Sequence, residues 1–354
     1  MFWLLGGQAI AMALLKDAKE GTFLYSIKQQ FTHVKWEGFH CYDFIFPLFL
    51  FLIGMSVPLS INKRLARGDP KRRIFRHALA RFGWMVFFGW CVNGKLLTYD
   101  PQQMQLSYSV LMMLGFGYLI AVSLTLWATL RTQIVVTTAI LIGYWVLQMF
   151  VPVPGHVPGK FVEGAIFSDW FYDQTIGRLG KPWASPLGRG WPISLWAHGA
   201  TAMLGVFASR LLQSPLSAPT KVRRLLLIGL VFAVVGWLWS FHFPIVKRRW
   251  TSSYVLWCGG LSYLLMALFY WVIDINGWRR WAGLFIAIGS NSILAYLISS
   301  LFMGGFASLA TTLFGGLSVW MSSYWHGVFL TTAKFSFAWL LLIYLRRQQL
   351  YLRL

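Results

Sequence analysis

The chain has 354 residues, of which 57% are apolar and only 12% charged, and its mean hydropathy is +0.60. A soluble domain carries about 25% charged residues, so the composition excludes one and indicates a polytopic membrane protein. The formal net charge of +21 does not signal nucleic acid, because the basic residues sit in short loops between apolar runs, where they orient spans.

Apolar runs of roughly 20 residues recur along the chain. Lipid offers backbone groups no partners, so the runs are read as helices. The expected fold is all-α, a polytopic integral membrane bundle of about 10 transmembrane helices in one domain, 1–354, with both termini cytosolic. In chain order the predicted spans are 1–15, 42–62, 79–94, 106–130, 132–151, 191–213, 224–242, 253–274, 281–302 and 326–345. Met1 to Leu15 is short for a full crossing and lacks the basic start and small-residue site of a cleavable signal. Outer loops are predicted at about 16–41 and 152–190, and 303–325 is read as re-entrant or surface-lying because it is rich in glycine and serine.

The first loop ends in His33-Val34-Lys35-Trp36-Glu37-Gly38-Phe39-His40-Cys41-Tyr42-Asp43, directly before an apolar span. Ionisable residues at a membrane boundary are costly unless solvated, paired or used. His33 is the candidate base, since an unperturbed imidazole exchanges protons near neutrality; the alternative is a solvated loop histidine. Asp43 either orients a histidine or caps the helix that follows. His40, three residues before Asp43, shares its face if the helix already runs through both.

The basic run Lys63, Arg64, Arg67, Lys71, Arg72, Arg73, Arg76 and Arg81 is placed in the cytosol. It either only sets orientation or, through Arg72, Arg73 and Arg76, grips a phosphorylated cofactor. Anionic lipid headgroups are the expected non-specific partner. The loop 152–190 carries Trp170, Phe171 and Tyr172 with Glu163, Asp169 and Asp173, read either as a sugar-binding surface or as an interfacial aromatic belt. Inside predicted spans, His198, Asn291 and Lys334 are costly polar residues; Asn291 suits an interhelical hydrogen bond and is also assigned to the cofactor. Cys41, Cys91 and Cys258 lack metal or redox spacing, so no metal and no disulfide are expected.

The run His33 to Gly38, followed by Asp43-Phe44-Ile45-Phe46-Pro47 and the apolar stretch to Ser56, resembles the signature of bacterial relatives of heparan-α-glucosaminide N-acetyltransferase. Met1 to Gly7 resembles the first span of the bacterial branch, and Val151 to Gly155, Trp250 to Val255 and Gly289 to Tyr296 resemble later parts of that family in the expected order. The resemblance implies acetyl transfer from cytosolic acetyl-CoA to the amine of an amino sugar on the outer side of a bacterial inner membrane. It implies a catalytic role for His33, as base or acyl carrier, with Asp43 in support and Gln8 as an oxyanion donor at a position where the family has asparagine. It assigns Trp36, Glu37 and His40 to the acceptor and suggests a homodimer. The chain departs from the family at Met112-Met113, at Leu106 or Ser107, at Ser185 to Gly188 or Gly188 to Gly190, and at Val246, where polar residues are expected. Two other readings rest on the same residues: an amino-sugar permease built on the intramembrane polar groups, and a non-catalytic family member.

Overall fold

A computed structural model describes residues 1–106, 109–181, 183 and 189–352. Ser107 and Ser185 to Gly188, two of the departures above, lie outside them. Among the described residues the regular structure is entirely helical. Seven helices among the described residues are long and apolar enough to cross a membrane: Cys41–Ala66, Val110–Trp127, Leu130–Phe150, Ala218–Ser240, Ser252–Ile275, Ser292–Val319 and Ser323–Arg347. The protein is therefore a multi-pass helical membrane protein. Of the other predicted spans, Trp3–Leu14 is a shorter apolar helix. Lys71–Val92 and Trp191–Gln213 are long helices, but the first begins Lys-Arg-Arg and the second is rich in small and polar residues.

The chain divides into two compact units. One unit holds Val34–Phe39 and Asp43–Asn276. Its helices are α3 (Ile45–Ala66), α4 (Lys71–Val92), α5 (Val110–Trp127), α6 (Leu130–Phe150), α7 (Phe167–Gln174), α8 (Trp191–Gln213), α9 (Ala218–Ser240) and α10 (Ser252–Phe269). Local chemistry sets their starts. Ser109 caps α5 by accepting from the Met112 amide at 3.1 Å, and Thr129 caps α6 by accepting from Thr132 at 3.2 Å, each satisfying an amide the first turn leaves free. Small residues set the closest packing. A Cβ on Gly54 of α3 would lie 1.9 Å from the Ala202 carbonyl oxygen of α8, and one on Gly205 of α8 would lie 2.0 Å from the Phe51 carbonyl oxygen of α3.

The other unit holds Met1–His33, His40–Tyr42 and Gly277–Arg353. It contains α1 (Gln8–Leu14), α2 (Phe23–Gln30), α11 (Gly283–Ser290), α12 (Ser292–Leu297), α13 (Met303–Phe314) and α14 (Ser323–Arg347). Leu5, Ile288, Ala295, Ile298, Phe335, Ala338 and Leu342 form its core. The predicted span 281–302 is broken. Asn291 leaves helical geometry at φ −123°, ψ 45° between α11 and α12. The long apolar helix instead runs Ser292–Val319, which absorbs most of 303–325. Glycine and serine in that segment weaken a helix in water by entropy and by competing hydrogen bonds, but lipid removes the competing water.

Candidate functional site

The turn bearing His33 is fixed by its own unit. Gln8 of α1 donates from Nε2 to the Phe31 carbonyl at 2.7 Å, so the amide expected at an oxyanion spends one hydrogen on the backbone two residues before His33. His40 Nδ1 lies 3.1 Å from the Thr32 carbonyl, and because a carbonyl only accepts, this nitrogen carries the proton in that bond. The Gln30 amide oxygen accepts from the Cys41 backbone at 3.1 Å. The His33 side chain itself is exposed and packs against the Tyr42 ring, centroids 4.8 Å apart. Gln8, His33 and His40 thus share one neighbourhood: two of them hold the backbone from which the third projects.

In the other unit, Asp43 is buried at 1% exposure. Its carboxylate lies 3.1 Å from Lys247 Nζ and accepts from the Val34 backbone amide at 3.4 Å, while the Tyr254 hydroxyl donates to its carbonyl at 2.7 Å. Burial pulls the Lys247 ammonium below its ordinary pKa, and the adjacent Asp43 carboxylate opposes that shift. Lys247 opens a run of three cations, each facing a carboxylate from another segment. Arg248 reaches Glu163 at 3.2 Å. Arg249, itself buried, meets Asp169 of α7 at 2.7 Å and Glu163 at 3.9 Å, and its guanidinium lies 5.1 Å from the ring centre of Trp36. Trp36 stacks in turn on Phe161 at 5.8 Å. Glu37 is exposed on the same segment.

These pairs change the reading of the 152–190 loop. Asp169 is fully buried and committed to Arg249, and Asp173 is held by Arg189 at 2.8 Å. The buried Asp169 is withdrawn from solutes, whereas Asp173, Glu163 and Trp36 keep accessible surface. The signal missed in the sequence is the run Lys247-Arg248-Arg249, which reads as loop charge until its three partners are placed.

The loop carrying those cations is rigid. Trp250 adopts a left-handed φ of 53°, which a bulky residue takes only under constraint. Its indole donates to Thr201 Oγ1 at 2.9 Å and stacks on His198 at 4.0 Å. His198 Nδ1 donates to the Ser194 carbonyl at 2.7 Å, so this buried histidine is a packing partner of the loop. At Val246, where the family places asparagine, the backbone amide is satisfied by Thr251 Oγ1 at 3.1 Å. Met112 and Met113, at another departure, are buried core residues.

Arg72, Arg73 and Arg76 lie elsewhere in the same unit. Asp43 precedes α3 and these arginines follow it, so the 22 residues of α3 separate the two groups by about 33 Å at 1.5 Å per residue. Arg73 pairs with Asp69 at 3.3 Å, and Arg64 meets the same carboxylate at 3.1 Å. Arg72 and Arg76 are exposed in the first two turns of α4, where the helix dipole already disfavours cations. That donor set, two guanidinium groups at a positive helix end, fits phosphate. Asn291 fits a cofactor less well. Its amide donates to the Leu350 carbonyl at 2.8 Å and accepts from the Leu352 amide at 3.0 Å, so both ends hold the C-terminal segment.

Residues 5–173 match the model of the family described as heparan-alpha-glucosaminide N-acetyltransferase, catalytic. Curated proteins of that name are similar over 82% of this chain: the mouse (Mus musculus) protein at 24% identity and the human (Homo sapiens) protein at 25%. The chain spans about half the length of these relatives, 51% in each case. The matched segment contains His33, Asp43, Glu163 and Asp169, so the chain is similar to the heparan-alpha-glucosaminide N-acetyltransferases in the part that carries the His33 turn and the Asp43 pair.

Proposed function

We propose that the chain is a membrane N-acetyltransferase that takes acetyl from acetyl-CoA and delivers it to the amine of an amino sugar on the other side of the membrane, with His33 as the base. The observation that carries this reading is an exposed imidazole on a turn whose preceding backbone is pinned by Gln8 and His40. Acetyl-CoA supplies an activated acyl carbon. The amine forms a C–N bond to that carbon as the C–S bond breaks; His33 takes the amine proton, and the departing thiolate is later protonated. A base positioned this way contributes about 10²–10⁴-fold.

Trp36 offers a ring face for the acceptor, with Glu37 exposed beside it. On the other side, about 33 Å along α3, Arg72 and Arg76 would receive the phosphates of the donor, whose thioester arm would have to extend into the helix bundle to bring the acyl carbon to the amine. With the basic loops facing the cytosol, as the positive-inside rule requires, the amine is acetylated on the outer side, and the reading places the protein in a bacterial inner membrane. Purified protein in detergent, given radiolabelled acetyl-CoA and glucosamine, is expected to form N-acetylglucosamine, and His33→Ala to lower the rate at least about 100-fold. Undiminished transfer by His33→Ala would end the proposal.

A further inference from the structure

The Asp43 carboxylate is 2% exposed and its cation comes from 204 residues away in the chain. Removing one partner of a buried ion pair strands the other, so Lys247 offsets the cost of burying the Asp43 carboxylate. An ionised carboxylate is the stronger acceptor, and one of the hydrogen bonds it accepts is from the backbone N–H of Val34, the residue after His33. The same short segment is held a second time, by the Gly38 amide donating to the Ile245 carbonyl at 2.9 Å. The loop delivering both contacts is braced from behind. Thr251 Oγ1 accepts from Val246 and donates to the Pro244 carbonyl at 2.8 Å, and Trp250 is bonded to Thr201 and stacked on His198. A lysine on a mobile loop would hold nothing in place; this one is presented by a rigid support.

We propose that Lys247 is a positioning residue for the transfer reaction: it holds the Asp43 carboxylate on the Val34 amide and so fixes the start of the segment that follows His33 in the chain. The inference rests on the reading of His33 as the base and adds to it a residue outside the matched segment 5–173. Lys247 touches no reacting atom in this scheme. It acts through Asp43 and one peptide bond.

The test is a double-mutant cycle in the purified full chain with two readouts. Lys247→Met and Asp43→Asn are each expected to lower kcat about 30- to 100-fold, the scale set by a misplacement of about 1 Å, with KM for both substrates changed less than about two-fold. Asp43→Asn/Lys247→Met, which leaves no unpaired buried charge, is expected to be no slower than the worse single variant, and Lys247→Arg to recover most of the rate. Hydrogen exchange in the 33–39 peptide is expected to speed up in Lys247→Met, while exchange in α3 and α8 stays unchanged. A purely structural role predicts losses that follow thermal stability, and multiplicative effects on kcat or a rise in KM alone overturn the proposal. Unchanged exchange at 33–39 overturns it independently of activity. A wild-type protein that acetylates no amine overturns the transferase reading, and the exchange result then decides the Lys247–Asp43–Val34 link by itself.

Discussion

Lys247, Arg248 and Arg249 are adjacent in sequence, yet they differ in what each contributes. The Arg248–Glu163 pair has side chains 56% and 47% exposed, whereas Arg249 and Asp169 are 4% and 0% exposed. An exposed pair contributes about 0–1 kcal/mol; breaking a buried pair by deleting one partner costs about 3–5 kcal/mol, because it leaves an uncompensated charge. Arg249→Met is therefore expected to lower the melting temperature of the detergent-solubilised protein markedly, with Arg248→Met close to wild type. Equal effects would mean that Asp169 is rehydrated on loss of its partner. The same contrast explains what was readable at this scale. His33, Trp36 and Asp43 lie in one contiguous motif next to a span, so sequence alone singles them out. Lys247 and Arg249 find their carboxylates 204 and 80 residues away, and no periodicity in a loop encodes such a pairing.

Helices show a different balance between pattern and context. The α3–α8 contact depends on Gly54 and Gly205, where an added Cβ would sit within about 2 Å of the facing helix backbone, so no rotamer change relieves the clash. Overpacking usually costs about 1–3 kcal/mol, and a clash with backbone belongs at or above the top of that range. Gly205→Leu is expected to abolish a monodisperse peak in size-exclusion chromatography, while Gly304→Leu, whose Cβ meets nothing within 4 Å, leaves it intact. At the α3–α4 turn, hydrogen bonding from Arg64, joined by Arg73, holds Asp69 below the usual carboxylate pKa of 3.8. A group with a depressed folded pKa stabilises above its unfolded value and loses that contribution as pH falls through the folded one. Acid titration of stability should therefore show a component below pH 3.8 that disappears in Asp69→Asn. Apolar composition and length made the central spans legible because both are local properties. The break at Asn291 was not, since it depends on an amide that captures the Leu350–Leu352 backbone from 59 residues away.

For the whole molecule, the functional reading requires that α3 separate two chemistries. Its first residues follow the segment bearing His33 and Asp43, and its last lead into the basic run. The helix Cys41–Ala66 has 26 residues and a mean hydropathy of 2.3 across its most apolar window, and at 1.5 Å per residue it spans about 39 Å, more than the roughly 30 Å hydrocarbon core. If α3 crosses, positions 37 and 72, both exposed, are expected on opposite sides of a membrane. In a background with Cys41, Cys91 and Cys258 replaced by serine, Glu37→Cys is expected to react with a membrane-impermeant maleimide in right-side-out vesicles and Arg72→Cys only in inverted ones. Labelling of both from one side would show that α3 does not cross. Transfer between a donor held at Arg72 and Arg76 and an acceptor beside His33 would then lose its geometric basis, even with the His33 turn and the Asp43–Lys247 pair intact.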